Sequence, residues 1–254
     1  MPHWPYPFWI AHRGAGKLAP ENTLAALRLG AQYGYRMFEF DAKLSADGIP
    51  FLMHDATLTR TTNAVQALGE AASPTGGDHP WSVLSRLDAG TWHSRAYAGE
   101  PLPTLENIAR QCRANGYLLD LEIKPTPGQE HVTGEAVALA VQDLWRGDAV
   151  PPLLTSFKPE ALAAAQGAAP SLPRGLLLET WTEGWLALAR RLGCVAVICN
   201  YSLWDRETVG QVHGAGIKAL SYTVNDESVA AHLIELGTDG IVTDAVDRFP
   251  PAGR

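Results

Sequence analysis

The sequence predicts a (β/α)8 barrel, the TIM-barrel fold, with a small insertion after the second strand. Short apolar runs alternate with helical patterns along almost all of the 254-residue chain, which is typical of βα units around a parallel sheet. Eight such runs can be counted, and a chain of this length suits eight strands with their helices. An open doubly wound sheet is the alternative architecture.

The predicted strands are residues 8–12, 36–42, 117–124, 153–157, 175–178, 195–199, 218–224 and 240–243. The second strand continues, after a turn at Asp47-Gly48, into residues 50–54. The first helix is predicted for residues 23–33 and ends at Gly34. Too few residues follow the last strand for a full helix. We therefore expect the Trp- and Pro-rich N-terminus, or a second subunit in a homodimer, to cover part of the barrel wall.

Residues 55–103 interrupt this alternation. They are rich in Gly, Pro, Ser, Thr and Asp and show little helical periodicity before residues 80–87. Long irregular segments in compact proteins are usually surface loops with a function. We expect one catalytic domain, residues 1–254, in which residues 55–103 form an insertion on the catalytic face.

Composition limits the cellular setting and the partners. The net charge of -7 argues against a protein that follows nucleic acid along a basic surface. Cys112, Cys194 and Cys199 form neither an even disulfide set nor a CxxC pair, which favours a reduced, cytoplasmic setting. The first seven residues contain no Lys or Arg and no long apolar run, so we expect neither a signal peptide nor stable membrane insertion.

Two strands carry charges where parallel strands are usually apolar. In "MFEFDAK" (37–43) and "LLDLEIK" (118–124), acidic and basic residues alternate with apolar ones, so each charged set lies on one face of its strand. A strand with one solvated face is the alternative, but two such strands in an α/β chain favour a polar barrel lumen. Glu39, Asp41 and Glu122 are then expected to converge at the mouth of the barrel.

Three close carboxylates need a compensating charge. Two unit charges about 4 Å apart repel by roughly 4 kcal/mol at an effective dielectric constant of about 20. Either the carboxylates share a proton or a cation lies among them. All-oxygen ligands favour a hard ion, Ca²⁺ or Mg²⁺, over zinc.

Histidines and cations end the same strands. His12 and His54 follow the first strand and the extension of the second, and imidazole can take or give a proton near neutral pH. Arg13 and Lys124 can contact phosphate oxygens, or form ion pairs with Glu39 or Glu122, and both roles can coexist. A divalent ion, two cations and two proton carriers together suit phosphodiester hydrolysis.

Nine short motifs carry a family resemblance across essentially the whole chain. They are "HRG" (12–14), "PENT" (20–23), "FEFDAKLSADG" (38–48), "HDATLTRTTN" (54–63), "LDAGTW" (87–92), "LPTLENI" (102–108), "LEIK" (121–124), "YTVN" (222–225) and "DGIVTD" (239–244). In this order and spacing the chain resembles the glycerophosphodiester phosphodiesterases. The resemblance implies a (β/α)8 barrel that uses a divalent ion to cleave glycerophosphodiesters into glycerol 3-phosphate and an alcohol.

The resemblance also implies roles for individual residues. By resemblance the general acid and base pair is His12 and His54, the metal ligands are Glu39, Asp41 and Glu122, the phosphate contacts are Arg13 and Lys124, and further substrate contacts are Phe157 and Tyr222. Asn22 and Asp55 would orient these groups, although Asn22 could instead cap a helix. Two departures from the family pattern are Tyr222, where Trp is common, and Ala42, where Val is common.

The sequence allows alternatives for the nucleophile, for the substrate and for the class of protein. The attacking nucleophile is either water or the neighbouring glycerol hydroxyl, which would form a cyclic phosphate. A phospholipase-like relative that docks on membrane lipids through Trp81 and Trp92 is an alternative enzyme. A non-catalytic phosphodiester-binding protein is the alternative outside enzymes.

Overall fold

The structure is a computed structural model that describes residues 4–251. Eight parallel strands close into a barrel because β1 pairs with both β2 and β9. The strands are β1 Trp9–Ala11, β2 Met37–Leu44, β3 Pro50–Leu52, β4 Leu118–Ile123, β5 Leu153–Ser156, β6 Arg174–Leu178, β7 Ala196–Asn200, β8 Lys218–Tyr222 and β9 Gly240–Thr243. The extra strand, β3, is antiparallel to β2. The predicted barrel is confirmed.

The helices lie between the strands in the chain and form the outer layer. They are α1 Leu24–Gln32, α2 Ala64–Leu68, α3 Trp81–Leu84, α4 Leu105–Asn115, α5 Glu130–Leu144, α6 Pro159–Ala168, α7 Trp185–Arg191, α8 Arg206–Gly214 and α9 Glu227–Leu236. The main core lies between this layer and the strands. Phe38 and Phe40 of β2 are fully buried in that core with Leu27 of α1 and Ile108 of α4. The alternation in β2 therefore separates an apolar outer face from a polar lumen, as predicted.

A second core fills the amino-terminal end of the lumen. It contains Ile10, Met37, Leu153, Leu177, Ala196, Ile198, Leu220 and Val242. Tyr6 belongs to this core, and its hydroxyl donates to the Pro151 carbonyl at 2.8 Å. Trp4 packs edge-on against Tyr6. Trp4 and Tyr6 therefore close the bottom of the barrel, and for the described part of the N-terminus the expectation that it covers the barrel wall was wrong.

The C-terminal segment covers the wall beside β1. Phe249 stacks on Trp9, with ring centroids 4.8 Å apart. The Tyr35 hydroxyl donates to the Phe249 carbonyl at 2.8 Å. Phe249 and Val246 thus bury this part of the outer face.

The segment after β3 has its own small core. Its buried residues, together with Phe51 of β3, are Met53, Leu58, Ala64, Leu84, Leu87, Ala89 and Leu102. The Asp88 carboxylate holds the following turn by accepting bonds from the backbone N–H groups of Gly90, Thr91 and Gly99. The division into one domain, residues 1–254, with residues 55–103 as its insertion stays a prediction.

Two further features bear on the expected setting. Cys112, Cys194 and Cys199 are buried free thiols, and burial raises the pKa of the Cys112 and Cys194 thiols to about 12. Within residues 4–251, every helix is too short or too polar to cross a lipid bilayer.

Candidate active site

Three acidic side chains meet at the carboxyl ends of neighbouring strands. Asp41 of β2 and Glu122 of β4 are register partners, and Glu39 lies two residues earlier on β2 with its side chain on the same face. One carboxylate oxygen from each of the three lies within 4.8 Å of the others, and all three residues are buried. The lumen therefore brings together the three predicted metal ligands.

The electrostatics of this trio show that it is short of positive charge. Burial and the neighbouring Asp41 charge raise the pKa of Glu39 well above its ordinary value, and the same causes raise the pKa of Glu122 to about 8. Burial also acts on Asp41, but Lys124 and Arg13 outweigh it and lower the pKa of Asp41. Without a cation, the trio thus carries its negative charge mainly on Asp41 and favours protons on its neighbours. A bound cation would displace the protons from Glu39 and Glu122. Because the available ligand atoms are all oxygens, the trio suits a hard divalent ion.

His12 follows β1 and is held from behind by a carboxylate. Its Nδ1 lies 2.6 Å from Asp244 Oδ1, and Asn225 donates to the other Asp244 oxygen at 3.1 Å. The ring's Nε2 faces the acidic trio, 3.8 Å from Glu39 Oε2. Asp244 therefore fixes the ring orientation and favours the tautomer with hydrogen on Nδ1, which leaves Nε2 for chemistry.

His54 follows β3 and is held in the same manner by the next residue. Its Nδ1 lies 2.8 Å from Asp55 Oδ1. Arg60 then binds Asp55 through two nitrogens, at 2.6 and 2.9 Å, and Glu21 through two nitrogens, at 2.7 and 2.8 Å. Glu21 in turn accepts a 2.8 Å bond from Arg13 Nη1. One arginine therefore links His54 to Arg13.

Burial lowers the pKa of His54, although the nearby Asp41 charge opposes this effect. This shift favours the neutral form of the His54 ring in the cation-free protein. A neutral ring with Nδ1 bound to Asp55 presents its Nε2 to the cavity as a proton acceptor.

The loop between β1 and α1 is shaped by unusual backbone conformations. Arg13 and Asn22 have positive φ angles, 50° and 59°, which non-glycine residues rarely adopt. Both are held by the acidic trio: the Arg13 N–H donates to Glu39 Oε2 at 3.0 Å, and the Asn22 side chain donates to Asp41 Oδ2 at 2.8 Å. Asn22 is therefore an orienting residue. The alternative of a helix cap is wrong, because Thr23 caps α1.

Gly16 shows why this loop carries glycine. Its φ is +56°, and a Cβ at this position would lie 2.1 Å from the Asp244 carbonyl oxygen. The Gly16 N–H donates to the His12 carbonyl at 2.8 Å. A side chain here would push the His12 loop away from the carboxylate that orients His12.

Lys124, Phe157 and Tyr222 line the same lumen cavity as the histidines. The cavity has a volume of about 230 Å³. Lys124 Nζ lies 3.1 Å from Glu122 and 3.3 Å from Asp41, so the predicted ion pair with Glu122 is present. The rings of Phe157 and Tyr222 meet edge to face at 5.6 Å. The Tyr222 hydroxyl lies 2.7 Å from Glu179 Oε2 and 2.9 Å from the Leu178 carbonyl.

Several residues at the site were given no role in the sequence analysis. Asp244, Asn225 and Arg60 lie inside quoted motifs, but nothing local assigns their partners. Glu179 lies outside every motif, and its position at the end of β6 is its one signal. Asp120 shares the lumen face with Glu122; burial raises its pKa to about 7, and it accepts a 2.8 Å bond from Thr155.

The family whose model matches this chain is described as the glycerophosphoryl diester phosphodiesterase family, and the match covers residues 12–248. A glycerophosphodiester phosphodiesterase from Caldanaerobacter subterraneus is 31% identical over 240 residues, which is 92% of this chain and 93% of that protein.

Solved structures agree with the sequence matches. The structure of an Oleispira antarctica phosphodiesterase in complex with the product sn-glycerol-3-phosphate is 35% identical, with a TM-score of 0.86 over 96% of this chain and 94% of that chain. A glycerophosphodiester phosphodiesterase from Agrobacterium tumefaciens is 26% identical, with a TM-score of 0.77 over 96% and 99% of the two chains. With these matches over nearly its whole length, the chain belongs to the glycerophosphodiester phosphodiesterase family, whose enzymes hydrolyse glycerophosphodiesters.

Proposed function

We propose that this enzyme depends on a divalent cation and hydrolyses glycerophosphodiesters to glycerol 3-phosphate and an alcohol by two-histidine acid and base catalysis. The observation that supports this most strongly is the convergence of Glu39, Asp41 and Glu122 at the cavity that both histidines line. Release of glycerol 3-phosphate from sn-glycero-3-phosphoethanolamine, followed by phosphorus NMR, tests the reaction. Phosphoethanolamine as the final phosphorus-containing product would contradict it.

The cation would be held by Glu39, Asp41 and Glu122. Their oxygens suit Ca²⁺ and Mg²⁺ equally as a donor type, and recovery of activity after each ion is added to demetallated enzyme would distinguish the two. A bound divalent cation would neutralise the phosphoryl oxygens and make the phosphorus more open to attack. Asn22 and Lys124 hold the Asp41 carboxylate in place for this role.

Phosphate binding is supported by an unused donor. The Nε–H of Arg13 is buried and has no hydrogen-bond partner within the described residues 4–251; its ion-pair partner Asp41 Oδ2 is 3.6 Å away. A buried donor without a partner is costly, and a phosphate oxygen would satisfy it. Lys124 adds a second positive charge on the opposite side of Asp41.

The two histidines would divide the proton transfers between them. One takes a proton from the attacking hydroxyl, and the other gives a proton to the departing alkoxide. The hydroxyl belongs either to water or to the glycerol next to the phosphate. A cyclic phosphate seen by phosphorus NMR during turnover would identify attack by the glycerol hydroxyl.

We propose that the glycerol lies in the lumen cavity. The Oleispira antarctica relative was solved with sn-glycerol-3-phosphate, which shows that a relative of this fold holds that product. Here Glu179, Tyr222 and Thr155 line the cavity and offer a carboxylate and two hydroxyls to the glycerol hydroxyls. Phe157 would pack against the glycerol carbons, as in the expected set of substrate contacts.

Membrane-lipid substrates are the main alternative. Trp81 is partly buried and packs with Phe51, while Trp92 is 38% exposed, donates to the Ala89 carbonyl at 2.8 Å and lies beneath Arg60. These contacts favour packing roles over a membrane-docking rim. A preference for micellar phospholipid over water-soluble glycerophosphoethanolamine would favour the phospholipase-like alternative. Binding of the phosphodiester without turnover would favour the non-catalytic alternative.

Asp244→Asn tests the orientation of His12. We expect kcat to fall about 10- to 100-fold, because an amide can hold the ring in the wrong tautomer while the fold is kept. KM for the substrate should change little. The measurement is steady-state hydrolysis, with Asp239→Asn, whose carboxylate binds His213 and Lys218, as a control of the same type. Unchanged kcat in Asp244→Asn would show that the His12 contact has no catalytic role.

Arg60→Ala tests the link between His54 and Arg13. We expect kcat to fall about 10- to 100-fold, because Asp55 and Glu21 lose their shared partner and both catalytic side chains lose support. Guanidinium ion added to the assay should restore part of kcat. Arg86→Ala is the control, since Arg86 lies exposed in the same segment and its side chain forms no hydrogen bond or ion pair with the described residues. A loss of the same size in both variants would contradict the prediction.

We propose a cytoplasmic enzyme, and the three free cysteines support a reducing compartment. The homodimer stays a prediction that analytical ultracentrifugation can measure.

A further inference from the structure

A second cleft, the outer groove, opens beside the lumen cavity and has no role in the mechanism above. It is lined by Lys43, residues 54–57, residues 122–125, Pro127 and residues 156–158, and its volume is about 440 Å³. It shares His54, Glu122, Lys124 and Phe157 with the lumen cavity. Groups bound in the two spaces would therefore meet at the catalytic centre.

We propose that the outer groove binds the leaving alcohol and selects neutral or anionic polyols over cationic amino alcohols. This inference rests on the proposed function. It assigns the part of the substrate that differs from one glycerophosphodiester to the next.

The shapes of the two spaces support this division. The lumen cavity is the smaller one, and its hydroxyls and Glu179 suit the glycerol common to all substrates. The outer groove has almost twice the volume and opens between surface loops, so it can accept alcohols of different sizes. His54 lines both spaces, so a phosphodiester that reaches from one space into the other would pass beside it.

The charges of the outer groove support the selection. Lys43 is 2% exposed, and its ammonium donates to the Lys124 carbonyl at 3.1 Å. Within residues 4–251, neither the Lys43 nor the Lys158 ammonium has a carboxylate within 4.0 Å. Half-buried Glu130 attracts Lys158, but from more than 4.0 Å away.

The carboxylates that line the outer groove already have partners. Asp55 binds Arg60 and His54, and Glu122 binds Lys124 and belongs to the proposed cation site. Lys158 is exposed and can act on a bound alcohol, whereas buried Lys43 is attracted by Asp41, Glu122 and Asp55. A cationic alcohol would therefore be repelled mainly by Lys158.

The apolar groups of the outer groove do not offset this repulsion. Ile123, Pro125 and Pro127 can pack against the carbon skeleton of a polyol. A quaternary ammonium group would instead need an aromatic face. Phe157 is the aromatic residue lining the outer groove, and the Lys124 ammonium already lies 5.9 Å from its ring centroid.

The test compares kcat/KM of the cation-loaded enzyme for three substrates at low ionic strength: glycerophosphocholine, glycerophosphoglycerol and glycerophosphoinositol. We expect kcat/KM for each polyol substrate to exceed kcat/KM for the choline substrate about tenfold. This is the effect expected from one or two screened charge repulsions. Lys158→Gln should reduce the ratio of kcat/KM for the polyol substrates to kcat/KM for the choline substrate. Lys158→Glu should bring this ratio close to one, mainly by raising kcat/KM for the choline substrate. Arg146→Gln removes a charge elsewhere on the surface and should leave the ratio as in the wild type.

Lys43→Met gives a second measurement of the same kcat/KM ratio. Because Lys43 is buried, the Tm of this variant is measured as well, to detect a loss of stability. Equal kcat/KM for the three substrates, a preference for choline, or a ratio that ignores Lys158→Glu would overturn the assignment of the outer groove. Failure of the cation-loaded wild type to hydrolyse any of the three would instead overturn the proposed function.

Discussion

Replacement of His54 by alanine is expected to lower kcat about 10²- to 10⁴-fold while KM for a glycerophosphodiester changes little. The ring exchanges a proton with a reacting oxygen, whereas the substrate is held mainly by Arg13, Lys124 and the lumen cavity. His12→Ala is expected to show a loss of similar size. Steady-state hydrolysis of glycerophosphoethanolamine measures both variants.

A substrate with a better leaving group separates the two histidines. Release of p-nitrophenol from a glycerophosphodiester needs almost no protonation, so the variant that lacks the general acid should regain most of its rate. The variant that lacks the general base should stay slow with both substrates. Full activity of both single variants on the natural substrate would show that the two histidines do not catalyse the reaction.

Glu122→Gln is expected to abolish the response to cations while making the cation-free protein more stable. Burial raises the pKa of Glu122 to about 8, so the folded cation-free protein must bind a proton there; glutamine removes this cost and keeps an oxygen that can accept from Lys124. The expected gain is about 1 kcal/mol in the free energy of unfolding, or a rise of about 2–4 °C in the Tm of the cation-free protein. At the same time kcat/KM should fall by about 100-fold or more.

The measurement is Tm with and without excess Ca²⁺ or Mg²⁺. The wild type should gain Tm with the ion, because a ligand that binds only the folded state stabilises it. Glu122→Gln should show little gain. Glu179→Gln is the matched control, since Glu179 lines the same cavity outside the trio and should leave the cation response intact. An unchanged response in Glu122→Gln would remove that residue from the cation site.

The predictions that held depend on patterns within single strands. The alternation in β2 and β4 places charged residues on one face, and adjacent parallel strands then bring Asp41 beside Glu122. The sequence could thus predict both the barrel and the acidic trio. The strand ends were less accurate: β1 spans Trp9–Ala11 instead of residues 8–12, because His12 already turns into the loop.

The features that the sequence could not predict are contacts between distant parts of the chain. His12 and Asp244 are 232 residues apart and meet only because β9 closes the barrel against β1. Arg60 reaches Glu21 across a segment whose path depends on its own small core. Tyr6, with Trp4 packed against it, adds apolar side chains to the amino-terminal end of the lumen. No pattern within a single segment of the sequence predicts these contacts.

The most direct test of the cation site is hydrolysis of glycerophosphoethanolamine by rigorously demetallated enzyme, before and after Ca²⁺ or Mg²⁺ is added back. If Glu39, Asp41 and Glu122 hold a catalytic cation, activity should fall to background on demetallation and return with one of the two ions. Full activity in the demetallated enzyme would contradict the account.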